Sequence, residues 1–567
     1  MAFVSVGPLV GHVSLSSRMP EERCRGNRLS VTQPSQQFAS QVGPAEHGFL
    51  AVGVLLGLGL SLGSRSRRGD RGIPQRGAAP GAAALRAWPN VHASEALDEA
   101  LGSERPPTKT PQGAKLRPLI VAMGTRGDVE PCLRVAAELQ ARGHTPLVLS
   151  HDAYESEIVG AWRLDFRSCG IAAVPLSEDY LTGKTRADQV FVDRGWYGDV
   201  WVDVGQRMRA AAQAHCCDVI VSASMGNTHA LDVAEKDGLL CFTIKFCPDI
   251  DGQIPTGAFA PSGYPSGMLG PLNYVAHVLE NLRTVGSVFA GGFIPRVIEF
   301  RKMLGFQSMK IDGQGLLPVR VMDDIEVPTY SSYRTVLQAN QPCLYAFSEA
   351  LVDRPPEYKP WHFMIGSMGK TDTEKTLELP SGICKFLEAA EAKDGLGPIC
   401  IAFGSMTLAR SSPWQSRAIV ESRRFGLHVI VVDPQGLDGV MADDPHVYVV
   451  RSVPYSVLFK RCRLVVHHGG AGTLQDCLWA GTPQLVAPVL SWSDQPFWGA
   501  ALEQKGLGLA LGPGGVPPEA EDWEGALSRA LSRLEEFRSR AETIALQAEG
   551  ERGAAAACEV LEEAMFS

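Results

Sequence analysis

The sequence predicts an α/β chain of two doubly wound, Rossmann-like domains facing a cleft, preceded by a largely disordered N-terminal extension. Three observations predict it. Short, continuous apolar runs alternate with helical patterns in two separate blocks, as expected of strands buried on both faces of parallel sheets. Glycine-containing turns follow the first run of each block. The first hundred or so residues have a different texture, too poor in large apolar groups to bury a core.

Residues 1–88 hold ten arginines, no lysine and four acidic groups (Glu21, Glu22, Glu46, Asp70), with Ser, Gly, Pro and Ala filling most of the rest. An uncharged run from Phe49 to Gly63 is followed at once by Arg65, Arg67, Arg68 and Arg71. Two readings stay open beside a plain unstructured extension. An arginine-rich, acid-poor leader suits organelle targeting of the plastid type. Alternatively, residues 49–63 associate with a membrane, with the arginines on the cytoplasmic side. As a helix the run would span about 22 Å against roughly 30 Å of hydrocarbon, and its glycines weaken a helix. The extension is expected to cover residues 1–115.

The first block opens with Leu119–Met123, a buried strand; Gly124-Thr-Arg-Gly127 then turns the chain. An amphipathic helix is expected over Val129–Arg142, stopped by Gly143, before a second strand at Pro146–Ser150. Strand-like runs recur at Val219–Ser222 and Leu240–Ile244. Residues 248–316, rich in Gly, Pro and aromatics, suit loops and irregular helices lining a pocket. The first domain is expected over 116–370, with the link near Pro355–Pro380, and the second over 371–567. Its strands read at Pro398–Phe403, His428–Val432, Val447–Val450, Leu464–Val466 and Gln484–Ala487.

With 567 residues, 45% hydrophobic and 20% charged, and a net charge of -9, the body of the chain has a soluble, globular composition. No basic stripe interleaves with aromatics, so no nucleic-acid partner is expected. Thirteen cysteines are scattered, often within apolar runs and never as Cys-x-x-Cys. They read as buried, reduced thiols in a reducing compartment.

Chemistry concentrates in Val465-Val-His-His-Gly-Gly-Ala-Gly-Thr-Leu474. A strand ends, glycines let a ligand approach the backbone, and a helix begins near Thr473. Its free N–H groups and dipole suit a diphosphate, and a strand-end histidine can donate to the same group. Taken alone, the segment reads equally as a tight turn. Downstream, Asp494-Gln495 follows the next strand, and a carboxylate beside an amide can accept and donate several hydrogen bonds to sugar hydroxyls. A bland reading is a polar loop over buried aromatics.

These segments resemble the donor-binding signature of family 1 glycosyltransferases of the GT-B fold, in the sterol 3β-glucosyltransferase branch. The resemblance rests on His467-His-Gly-Gly-Ala-Gly-Thr473, Ala480-Gly-Thr-Pro483, Asp494-Gln-Pro-Phe-Trp-Gly499, Gly124-Thr-Arg-Gly-Asp-Val-Glu-Pro131 and Phe403-Gly-Ser-Met406. It covers about residues 117–510. It implies an inverting transferase that needs no metal and takes a UDP-sugar as co-substrate. Donor binding then falls to Ser405, His468, Gly469, Gly470, Ala471, Gly472, Thr473, Asp494 and Gln495. Leaving-group charge would be met by the helix terminus, His468, Ser405 and Thr473.

Asp128 occupies the position of the family's catalytic base, where it would take the proton of the acceptor hydroxyl. It also suits a helix N-cap. His151 and Asp152, at another strand end, are weaker candidates. Trp498 is expected to pack its loop, and Asp323-Asp324 and Asp443-Asp444 read as loop charges. The chain departs from the branch at Val453-Pro-Tyr-Ser-Val457, where a Val-Pro-His-Asp-Trp type segment is usual, and at Asp433-Pro-Gln-Gly-Leu-Asp-Gly439.

The implied activity is transfer of a hexose, glucose from UDP-glucose, to a sterol or other lipid-like alcohol. Phenolic, polyketide or glycolipid acceptors stay open, as does a non-catalytic nucleotide-sugar-binding module. A dinucleotide-dependent dehydrogenase is disfavoured, since the first turn lacks Gly-x-Gly-x-x-Gly.

Overall fold

The computed structural model describes residues 92–102, 105–106, 113–172, 200–223, 226–248, 293–311, 325–328, 341–355, 358–369, 377–404, 413–434, 443–489, 494–512 and 518–566. The leader with its apolar run 49–63, most of the 248–316 segment, Asp323-Asp324 and Ser405 lie outside these residues.

Nine strands come from the first half: β1 Pro118–Ala122, β2 Leu147–Ser150, β3 Asp165–Ser168, β4 Val219–Ala223, β5 Leu240–Lys245, β6 Ser308–Ile311, β7 Ile325–Pro328, β8 Cys343–Tyr345 and β9 His362–Met364. Seven build one parallel sheet in the order β3-β2-β1-β4-β5-β8-β9, and β6 and β7 pair separately as an antiparallel hairpin. The second half adds β10 Ile399–Ala402, β11 Val429–Val432, β12 Val447–Val450, β13 Leu464–His467, β14 Gln484–Val486 and β15 Gly508–Ala510. These form a second parallel sheet, β12-β11-β10-β13-β14-β15. Both sheets reverse direction beside their first strand, between β1 and β4 and between β10 and β13. Such switch points are where doubly wound folds leave a crevice at the carboxyl ends of the strands.

Apolar packing explains the architecture. The central strands β1 and β10 are buried along their whole length, because helices cover both faces of each sheet. A fifth apolar cluster joins the halves: Tyr345, Phe347 and Leu351 of the first pack with Leu474, Leu478, Trp498 and Leu502 of the second.

Several elements differ from the sequence-based expectation. The helix expected from Val129 begins at Arg126, because Thr125 and Asp128 close a reciprocal capping box at its first turn. β3, β6, β7, β8, β9 and β15 were not read, being short and without a pattern of their own, and within 248–316 a regular helix, Phe293–Met303, and β6 stand where loops and irregular helices were expected. Two elements cross the expected boundaries. Helix Ala93–Leu101 falls within the stretch 1–115, yet it buries Ala93, Ala96 and Leu97 in the first core. Helix Gly553–Phe566, at the end of 371–567, buries Ala557, Leu561 and Ala564 in that same core. β9 likewise lies inside the expected link and completes the first sheet. No helix among the described residues is long and apolar enough to cross a membrane.

Candidate functional site

The first-domain part of the site grows from the end of β1. Gly124 adopts φ +133, a value that disfavours L side chains, and a Cβ there would collide with the Asp128 carboxylate. The turn can therefore draw Asp128 tight against its backbone. Oδ2 of Asp128 accepts from Thr125 N at 2.8 Å and from Thr125 Oγ1 at 2.9 Å. Asp128 is thus the third residue of the helix, with Thr125 as its cap. Burial raises its carboxyl above the ordinary carboxylate value and outweighs the opposing Thr125 bonds.

His151, at the end of β2, does not face the solvent as a spare base. Its buried Nε2 accepts from Gly124 N at 2.9 Å, and its Nδ1 lies 3.2 Å from the carbonyl of Ile171. Asp152 begins a short 3-10 turn beside it. Arg126 lies at the mouth of the turn, held by both oxygens of Glu157 at 3.0 and 2.9 Å.

The second-domain part follows β13. His467 ends the strand fully buried; Gly469 N donates to its Nδ1 at 3.2 Å, so its Nε2 donates to Gln484 Oε1 at 2.9 Å. Burial lowers its pKa to about 4. The next ring, His468, stacks near Phe403 with centroids 6.4 Å apart, and burial lowers its pKa to about 3. Both imidazoles are neutral at physiological pH. Nδ1 of His468 is buried without a hydrogen-bond partner among the described residues, a state that calls for one.

Helix Ala471–Ala480 starts at Gly470 with no side-chain cap, leaving first-turn N–H groups of Ala471, Gly472 and Thr473 without side-chain acceptors. Gly472 is exposed with open space around it, whereas Thr473 is buried. Gly469 has φ +91, and a Cβ there would sit 3.0 Å from the carbonyl oxygen of Gln495.

The structure thereby brings the glycine loop and the Asp494-Gln495 pair together. Gln495 is buried, and its Oε1 accepts from Val489 N at 2.8 Å. Asp494 precedes helix Gln495–Lys505, and its Oδ2 accepts from Trp498 Nε1 at 2.9 Å. Trp498 packs edge-on against Phe347 in the interdomain core. Tyr455, in the segment that departs from the branch, stacks on Phe459 at 4.5 Å. Ser405 lies outside the described residues, just past Gly404 at the end of β10. No group of three or more potential metal-ligating side chains occurs among the described residues.

Sequence reasoning missed Gln484 and Thr125. Gln484 carries a readable signal, a lone amide opening an apolar strand. Thr125 carries one too, since Thr-x-x-Asp before an apolar helix is a cap pattern.

Residues 420–550 match the family described as Erythromycin biosynthesis protein CIII-like, C-terminal domain. The glycosyltransferase of kitacinnamycin superposes with a TM-score of 0.56 at 18% identity, covering 80% of this chain and 100% of that one. The spinosyn forosaminyltransferase SpnP does so with a TM-score of 0.51 at 17% identity, covering 79% and 100%. Together they show a GT-B fold whose second half carries the matched domain.

In sequence the chain is similar to sterol 3-beta-glucosyltransferases. It is 26% identical over 455 residues to one from Arabidopsis thaliana, covering 77% of this chain and 64% of the relative. To that of Neosartorya fischeri it is 24% identical over 415 residues, covering 70% and 26%. The chain therefore matches less than two thirds of the length of these relatives.

Proposed function

We propose that this protein is a glycosyltransferase that moves a hexose, glucose from UDP-glucose, to the hydroxyl of a sterol or other lipid-like alcohol, with inversion and without a metal. One observation carries the reading. An uncapped helix N-terminus and an unpartnered buried imidazole lie at one switch point, and a carboxylate of raised pKa lies at the other. The helix end and His468 would take the diphosphate, and their neutral and dipolar donors would stabilise the charge of the departing nucleotide. Asp128 would accept the proton of the attacking hydroxyl, and Asp494 and Gln495 would hold the sugar. Similarity to the sterol 3-beta-glucosyltransferases supports donor and acceptor class. The leader or run 49–63 would bring the chain to an organelle or a membrane, where such an acceptor resides.

The capping box favours a second reading. Asp128 Oδ2 is already engaged by Thr125, so the carboxylate could serve the helix alone in a module that binds a nucleotide sugar without transferring it. Mass spectrometry of the full chain, incubated with UDP-sugars against sterols, phenols and glycolipids, separates the two. Transfer that Asp128→Asn abolishes supports the enzyme. Binding of UDP-glucose without transfer to any acceptor supports the module.

A further inference from the structure

Three carboxyl-end segments of the first sheet meet at one side chain. His151 follows β2 directly at 1% exposure, and its ring reaches sideways to the turn after β1 and to the segment after β3. The carbonyl of Ile171 can only accept, so Nδ1 carries the ring proton and Nε2 presents a lone pair to Gly124 N. The Cys169 thiol lies 3.6 Å from Nδ1, and the backbone bonds Asp152 N to Ile171 O and Ala153 N to Ala172 O fasten the same corner. Gly124 is the residue whose Cα lies against the Asp128 carboxylate, and Thr125, next along, supplies both donors to Oδ2.

We propose that His151 is a positioning residue for Asp128, its Nε2 lone pair holding the Gly124 N–H and so fixing the turn on which the carboxylate rests. The inference rests on the reading of Asp128 as the base. Burial supports it by holding the ring in its neutral form, since a protonated Nε2 would face the Gly124 N–H with a second donor. The ring itself has no part in the proton transfer, as both of its nitrogens are committed to backbone groups. A displaced turn would shift the carboxylate from the acceptor hydroxyl, and misplacement of about 1 Å can cost on the order of 10²-fold in rate.

The test compares His151→Phe, which keeps ring size but removes the acceptor, with His151→Gln, which restores an acceptor near Nε2. Full-length variants are assayed with UDP-glucose and a 3β-hydroxysterol, alone and with Asp128→Asn. UDP binding is measured by calorimetry and amide exchange by mass spectrometry over residues 118–130. The expected result is a kcat lower by about 10²-fold in the Phe variant, with UDP affinity unchanged and partial recovery in the Gln variant. Exchange at Gly124 should quicken with Phe and slow again with Gln, a readout independent of turnover.

In the Asp128→Asn background, adding His151→Phe should cost nothing further. A Phe variant with wild-type kcat and wild-type exchange overturns the proposal. So does a loss of UDP affinity parallel to the loss of kcat, which marks a general folding lesion. If Asp128→Asn alone retains full transfer, the reading of the base fails instead, whatever His151 does to the turn.

Discussion

Two hydrogen bonds from Thr125 would by themselves make Asp128 a weak base, because they stabilise its charged form. Burial works the other way and wins, so the carboxyl titrates above the ordinary carboxylate value. As the proposed base, Asp128 would act in its deprotonated form. Activity should therefore rise with pH through a limb lying above about 4, the ordinary value for Asp. A profile of kcat/KM against pH for wild type and Thr125→Val checks this. Removing the hydroxyl deletes one bond to the carboxylate, so the limb should move further up. Asp128→Asn should lower kcat by roughly 10² to 10⁴-fold and leave UDP affinity unchanged, because the donor loop belongs to the other sheet.

At the scale of elements, what matters is how strand ends present backbone to a ligand. Helix Ala471–Ala480 has no side-chain hydrogen bond capping its first turn, unlike helix Arg126–Ala141, which closes its own with a capping box. The first arrangement leaves donors for an anion; the second spends them internally. Gly469 makes the loop possible, since its φ of +91 and the 3.0 Å that would separate an added Cβ from the Gln495 carbonyl oxygen both disfavour a side chain. Gly469→Ala should impose about 1–2 kcal/mol of backbone strain and displace the Gln495 main chain. UDP titrations should show binding weakened tenfold or more, with kcat at saturating donor less affected.

Across the whole molecule, the two halves are tied by more than a linker. The chain returns to the first sheet through Glu551, whose carboxylate accepts from Ser348 Oγ and Ser367 N, both at 2.7 Å. Helix Gly553–Phe566 then fills the first core. Deleting residues 553–567 should uncover the face of helix Arg126–Ala141 around Val135, on which Cys558 packs. Hydrogen exchange should then show β1 and β2 losing protection while β10 and β13 keep theirs.

Much of the fold was legible because central strands of doubly wound sheets are continuous apolar runs, and β1, β2, β4, β5 and β10 to β14 all announce themselves so. Strands β8 and β9 do not, since their burial comes from neighbours, and β3, at the sheet edge, is largely uncovered and too short to show a period. The glycine loop was legible for a similar reason: glycines must stand where backbone approaches backbone, as Gly469 does against Gln495. The sequence by itself determined the two-sheet class, the glycine loop after β13 and a carboxylate after β1. Only the tertiary structure decided that His151 and Gln484 serve the turns as acceptors. It alone returned the last helix to the first domain. Those are contacts between residues 17 to 420 positions apart, such as His467 with Gln484 and Arg142 with Glu562, and chain proximity carries no signal for them.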